Sequence, residues 1–177
     1  MSQLTYAHLD EEHVAASLAR ELATLGARHT IMTDLTFVTP HVAKQISGGL
    51  TVARGKPLDA ATALKGWLAE ASFFAQCYEI ALKEAQTIER RYPRLRRAIA
   101  FLSAYRLVDS MPARRVLPLD LCHHVTKRIG IGEWRLSRCM TCSIDTLAPR
   151  AVPAGMIRCA RHETLALADL YLANSRR

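Results

Sequence analysis

Several features that are common in membrane proteins and enzymes are missing from this 177-residue sequence. No apolar run is long enough to cross a bilayer, and residues 1–13 carry acids where a signal peptide has an apolar stretch. No glycine-rich loop that cradles phosphate and no nucleophile paired with a base is recognisable. The sequence therefore predicts a cytoplasmic protein that is not an enzyme and makes no membrane contact.

The chain has five cysteines, and three of them form a regularly spaced quartet of candidate metal ligands with one histidine. Cys139-x2-Cys142 is followed after sixteen residues by Cys159-x2-His162. Thiols stay reduced in the cytoplasm, so the five cysteines are expected to be ligands or core residues rather than disulfides. Two short chelating pairs joined by a modest loop are typical of a structural zinc site, because each tight turn points two side chains at one tetrahedral ion. Four protein ligands leave no open position for a catalytic water.

The fourth ligand is the least certain member of this quartet. Histidine is an ordinary zinc ligand, so a site of three cysteines and His162 is chemically sound. A second group of candidates lies nearby in the sequence, and any one of its members is an alternative fourth ligand: Cys122, His123 and His124. An incomplete site is the remaining alternative.

Charge is distributed unevenly along the chain. Up to Thr87 there are seven basic and nine acidic residues, whereas from Ile88 onward there are seventeen basic and seven acidic residues, a net charge of +10. A basic half of this kind is typical of proteins that bind a polyanion, most often nucleic acid. An ordinary solvated surface is the alternative.

Apolar periodicity and capping residues predict a mainly α fold. A helical body is expected over residues 1–115, followed by a small zinc-binding basic module at 116–177 that ends in a helix. Asp10 is expected to cap a first helix, Thr39-Pro40 begins a short helix that ends before Gly48-Gly49, and Asp59 caps the longest helix. Half of the residues are hydrophobic, which is enough for a real core.

The segment near residues 30–47 has the outline of a helix-turn-helix, with a short capped helix after a tight connection. Its outer face offers groups that donate to phosphates or base edges, namely His41, Lys44 and Gln45. Three further bases are predicted to contact the DNA backbone: Arg28, Arg54 and Lys56. Any short surface helix is the simpler alternative.

Several blocks of this sequence, in order and spacing, resemble the FlhC family, which supplies the zinc-containing subunit of the bacterial flagellar master regulator. The similarity covers roughly residues 15–165. The blocks are LGAR at 25–28, HVAKQI at 41–46, EASFFAQCYEIALK at 70–83, AYRLV at 104–108 and LSRC at 136–139, followed by Cys142. Where the family has a fourth cysteine, this chain has His162.

The resemblance implies a transcriptional activator subunit that forms a hetero-oligomer with a small helical FlhD-like partner. Such a complex binds promoter DNA, recruits RNA polymerase and is associated with the bacterial nucleoid; the regulated genes are flagellar or belong to conjugative transfer. Its zinc would be structural. The arginines around the zinc module are candidate phosphate contacts: Arg135, Arg138, Arg158 and Arg161. The alternative is a zinc-stabilised scaffold that assembles the regulator while its partner reads DNA.

Overall fold

The fold is mainly α-helical, as the sequence predicts. A computed structural model describes residues 10–50, 64, 66–85, 91–111 and 117–162. These residues form six α-helices and a two-stranded sheet. The elements are α1 Glu11–Thr24, α2 His29–Thr36, α3 Pro40–Ile46, α4 Leu68–Glu84, α5 Arg96–Asp109, α6 Leu119–Gly130, β1 Trp134–Arg138 and β2 Asp145–Pro149, with 3-10 turns at Pro93–Leu95 and Ala154–Met156.

Contacts divide the chain into two compact units, each made of two segments. The first combines Met1–Gly55 with Leu82–Leu102, and the second combines Lys56–Ala81 with Ser103–Arg177. The predicted division at residue 115 follows sequence order, and these interleaved units do not test it. The predicted Asp59 cap and the predicted C-terminal helix lie outside the described residues. No helix in the described ranges is long and apolar enough to span a membrane.

The first unit contains three helices that contact one another pairwise. The predicted start of α1 is confirmed, because the Asp10 side chain accepts a hydrogen bond from the His13 N–H at 2.9 Å. Leu22, Met32 and Leu35 are almost fully buried. Burial of such side chains contributes about 1.5–3 kcal/mol each relative to leaving them exposed.

The connection between α2 and α3 is short and defined by its caps. Phe37 follows α2 in the left-handed conformation, with φ 59°. The predicted cap and N1 proline of α3 are confirmed, because Thr39 Oγ1 accepts from the Val42 N–H at 3.3 Å and Pro40 is the first helical residue. His29 Nε2 and Ser47 Oγ lie 2.6 Å apart, which joins the start of α2 to the end of α3. Two short helices joined by a three-residue connection are therefore present in this segment, and its assignment as a helix-turn-helix stays a prediction.

The second unit contains a β-hairpin that the sequence analysis does not predict. Helix α6 ends in a Schellman motif, in which the N–H groups of Gly132 and Glu133 bond to the carbonyls of Ile129 and Arg128. Gly132 has φ 75°, a conformation that favours glycine, and it turns the chain directly into β1. Strand β1 then pairs antiparallel with β2, from Trp134 opposite Pro149 to Arg138 opposite Asp145.

Helix α4 is joined to β2 through a buried serine. Ser72 Oγ donates to the Leu68 carbonyl at 2.6 Å, accepts from the Leu147 N–H at 2.9 Å and lies 3.3 Å from Thr146 Oγ1. Gln76, one turn later, donates its amide to the Asp145 carbonyl at 3.0 Å. These bonds hold the start of β2, and hence the loop before it, against α4.

Candidate metal centre

The first chelating pair lies in the loop that joins the two hairpin strands. Cys139 directly follows β1, and its N–H bonds to the Ile144 carbonyl at 2.8 Å. The Ser143 N–H bonds back to the Cys139 carbonyl at 2.8 Å, and Ser143 takes the left-handed conformation with φ 58°. The loop is therefore a tight turn that brings Cys142 back beside Cys139, as the two-residue spacing predicts.

The second pair lies on a separate turn that the backbone connects to the first. The His162 N–H bonds to the Cys159 carbonyl at 2.8 Å and closes this turn. The Met140 N–H, inside the hairpin loop, bonds to the Ile157 carbonyl at 3.1 Å. Ile157 is buried with Ala148 and Val152 in a small apolar cluster. This cluster anchors the segment before Cys159 beside the hairpin.

The four predicted ligands come together in a single cluster. Cys142 Sγ lies 3.6 Å from Cys159 Sγ, and His162 Nδ1 lies 3.3 Å from Cys159 Sγ and 3.7 Å from Cys139 Sγ. All four ligand atoms lie within 4.8 Å of one another. A tetrahedral zinc site has edges of about 3.8 Å between sulfurs and about 3.5 Å between sulfur and nitrogen, given its bond lengths. The cluster could therefore hold a metal ion after only small adjustments.

Backbone N–H groups and neighbouring thiols determine the protonation of this cluster. Burial raises the pKa of the Cys139 thiol, but the N–H groups of Cys159, Thr141 and Cys142 lower it to about 5. The pKa of Cys142 is raised: the Ile144 N–H lowers it, whereas burial and its hydrogen bonds with the other two thiols raise it. A thiolate at Cys139 thus discourages a second thiolate beside it. A divalent cation would favour the deprotonated form of all three.

The alternative fourth ligands lie on a helix. Cys122, His123 and His124 belong to α6. Cys122 is fully buried, and burial raises the pKa of its thiol well above the usual value. The His124 ring packs edge-on against Trp134, with ring centroids 5.4 Å apart, and accepts a 3.4 Å bond from Arg128. Among the described residues, the group able to hold a metal consists of the original quartet.

A cleft of about 250 Å³ lies beside the cluster in the same unit. One wall is the face of α4 that carries Phe73 and Gln76, and the other is formed by Ile144 with Ala160 and Arg161. Sequence reasoning missed the part that Ser72 and Gln76 play in positioning this region. No local signal marks them, because their partners on β2 lie 69 to 75 residues further along the chain.

No protein-family model and no curated protein matches this chain. The resemblance to the FlhC family therefore stays a prediction, which depends on the sequence blocks alone.

The predicted DNA contacts of the first unit concentrate on α3. His41, Lys44 and Gln45 are exposed, and their spacing of three and four residues places them on one face of the helix. Arg28 is half-buried at the position before α2. Arg54 and Lys56 lie outside the described residues.

The four predicted arginines of the second unit flank the cluster along the chain. Arg138 is exposed and directly precedes Cys139, while Arg158 is half-buried and Arg161 exposed on either side of Cys159. Arg135 is half-buried and donates to the Val152 carbonyl at 3.3 Å, whereas the half-buried Arg158 donates to the carbonyl of its neighbour Ile157 at 3.1 Å. Arg135 therefore supports the loop after β2, and the other three remain candidate phosphate contacts.

Proposed function

We propose that this chain is a DNA-binding subunit of a transcriptional activator whose fold depends on one structural zinc ion. It would act in a hetero-oligomer with a small FlhD-like helical partner, bind promoter DNA and recruit RNA polymerase. Flagellar genes and conjugative-transfer genes are the two candidate regulons. This proposal joins the sequence resemblance to two structural features, the cysteine and histidine cluster and the exposed face of α3.

The identity of the metal is inferred from the donor set. Three thiolates and one imidazole are soft and borderline ligands, which suit zinc and exclude the oxygen-binding cations magnesium and calcium. All four positions of a tetrahedral ion would be filled by protein, so no position remains for a catalytic water. Zinc would hold the hairpin loop and the Cys159–His162 turn together, which supports a structural role.

The DNA-binding part of the proposal is carried by one observation, the exposed face of α3. His41, Lys44 and Gln45 lie together on a short helix that contacts α1 and α2, and a recognition helix presents its side chains in the same way. Lysine binds phosphate as a point charge, while histidine and glutamine donate hydrogen bonds to base edges or phosphates. The net charge of +10 from Ile88 onward adds a sequence-independent attraction to DNA.

Charge reversal on α3 tests this proposal. The chain would be co-expressed with the neighbouring FlhD-like protein, and the purified complex titrated with promoter DNA at several salt concentrations. We expect Lys44→Glu to weaken binding and to reduce the salt slope by about one unit or more. Lys83→Glu is the matched control, because Lys83 is an exposed lysine near the end of α4. Equal affinity of the two variants would exclude α3 as the DNA-contacting face.

A scaffold role is the second candidate, and it is favoured by exposed apolar side chains near the ligand turns. Met140, Ile144 and Met156 are 58%, 50% and 56% exposed, and solvent-facing groups of this kind are typical of protein contact sites. In that case the partner would read DNA. A stable complex with the FlhD-like protein whose DNA affinity is unchanged by charge reversal in this chain would support the scaffold role.

A further inference from the structure

The ring of His162 faces the thiols with one particular nitrogen. The contacts at 3.3 Å to Cys159 Sγ and 3.7 Å to Cys139 Sγ are both made by Nδ1. Only two residues separate His162 from Cys159, and the backbone bond between them closes a tight turn. Nδ1 is the ring nitrogen nearer to the backbone, so a short turn presents it to the cluster more readily than Nε2. An ion in this cluster would accordingly be bound through Nδ1.

Ligation through Nδ1 decides the state of the other ring nitrogen. A neutral imidazole whose Nδ1 binds a metal carries its proton on Nε2, which is then a hydrogen-bond donor. Metal-bound histidines usually direct that N–H to a carboxylate, a carbonyl or water. His162 is half-buried, and within the described ranges no hydrogen bond reaches its Nε2. The donor is therefore available to an acceptor outside the described residues.

The surrounding charges favour an anionic acceptor. A divalent ion with three thiolates and one neutral imidazole carries a net charge of −1, whereas four thiolates would give −2. Four arginines lie within four residues of a ligand in sequence, namely Arg135, Arg138, Arg158 and Arg161, against two acids. The acids are Asp145, opposite Arg138 in the hairpin, and Glu163. The balance is positive, and a phosphate oxygen is the acceptor that a basic surface with a neutral N–H donor fits best.

We propose that His162 binds the zinc ion through Nδ1 and donates its Nε2–H to a phosphate oxygen of the DNA backbone. This rests on the proposed function, because it requires both the ion and the DNA. The ion fixes the ring, so the donor is oriented before DNA arrives and loses little freedom on binding. Metal loading and DNA affinity are then coupled through a single side chain.

The ligating nitrogen is measured first, without DNA. Long-range ¹H–¹⁵N correlation spectra of the zinc-loaded, full-length chain, with His162 assigned by comparison with His162→Cys, report which nitrogen carries the proton. We expect the proton on Nε2 and a metal-bound Nδ1. A proton on Nδ1 overturns the proposal and leaves the proposed function intact.

The donor is then removed while the ligand is kept. Nτ-methylhistidine at position 162 blocks Nε2 but leaves Nδ1 and the charge unchanged. We expect one zinc per chain as in the wild type, and about tenfold weaker retention of duplex DNA, since one hydrogen bond to a charged group is lost. His162→Cys, which keeps a metal-binding quartet and adds one negative charge, is expected to weaken DNA binding further.

Three outcomes of these experiments and of their controls on the unmodified protein overturn the proposal. Full DNA affinity of the methylated protein shows that Nε2–H makes no contact with DNA, while the proposed function stands. If inorganic phosphate changes the chemical shift of the Nε2 proton as much as duplex DNA does, the N–H group binds a free anion rather than the DNA backbone. A wild-type complex with the FlhD-like protein that fails to retain duplex DNA even at low salt overturns the proposed function together with this inference.

Discussion

Truncation of the fourth ligand is the sharpest test of the metal centre. His162→Ala removes the only nitrogen of the quartet, whose Nδ1 lies 3.3 Å from the nearest sulfur. Structural zinc in small modules binds with about 10–16 kcal/mol at neutral pH. Shared evenly among four ligands, that is about 2.5–4 kcal/mol for each, so the variant should bind zinc roughly 10² to 10³ times more weakly.

Competition with a chromophoric chelator measures this difference directly. His123→Ala is the matched control, because it makes the same change at a histidine of α6, among the alternative ligands. We expect the control to keep wild-type zinc affinity. Unchanged affinity in His162→Ala, or a loss of zinc in His123→Ala, would refute the assignment of the fourth ligand.

Chemistry and burial explain why α6 should not compete for the ion. Cys122 is fully buried on α6, and this burial raises the pKa of its thiol well above the usual value. Metal ligation requires the thiolate, so the cost of deprotonation opposes this residue as a ligand. Zinc binding by a His162→Ala variant through Cys122 would therefore need α6 to rearrange.

Three further predictions concern stability and pH. Ser72→Ala should lower the free energy of unfolding by about 1–3 kcal/mol in urea titrations, because it removes the hydrogen bond to the buried Leu147 N–H. The control Ser110→Ala, at an exposed helix end, should change that free energy by less than about 0.5 kcal/mol. Equal effects of the two substitutions would contradict the role of Ser72. Burial raises the pKa of Tyr105 to about 12, with smaller effects of nearby negative charge. The unfolded chain loses this proton first, so stability should fall as pH rises from about 10 to 12, and less steeply in Tyr105→Phe. Acidification below neutral pH should release zinc, measured by a chelating dye, since protons compete for three thiolates; retention at pH 4 would contradict a thiolate site.

Local features of the chain were predictable where neighbouring residues determine the conformation. The Asp10 cap, the Thr39-Pro40 start of α3 and the short turns of the chelating pairs each depend on atoms within a few residues. The periodic apolar positions after Leu68 likewise indicate α4. The hairpin was not predicted, because its strands are five residues long and their pairing is decided by residues across the loop.

The helical class, the ends of several helices and the four members of the metal quartet are predictable from the sequence, since spacing alone brings Cys139 beside Cys142 and Cys159 beside His162. The contact between the two pairs is not predictable in this way, because it arises from tertiary interactions. The contact depends on the backbone hydrogen bond from Met140 to Ile157 and on the hydrogen bond between Ser72 and Leu147 of β2, which link segments far apart in the chain. The tertiary structure also determines that Nδ1 of His162 faces the sulfurs, because the orientation of the ring depends on the positions of the neighbouring thiols.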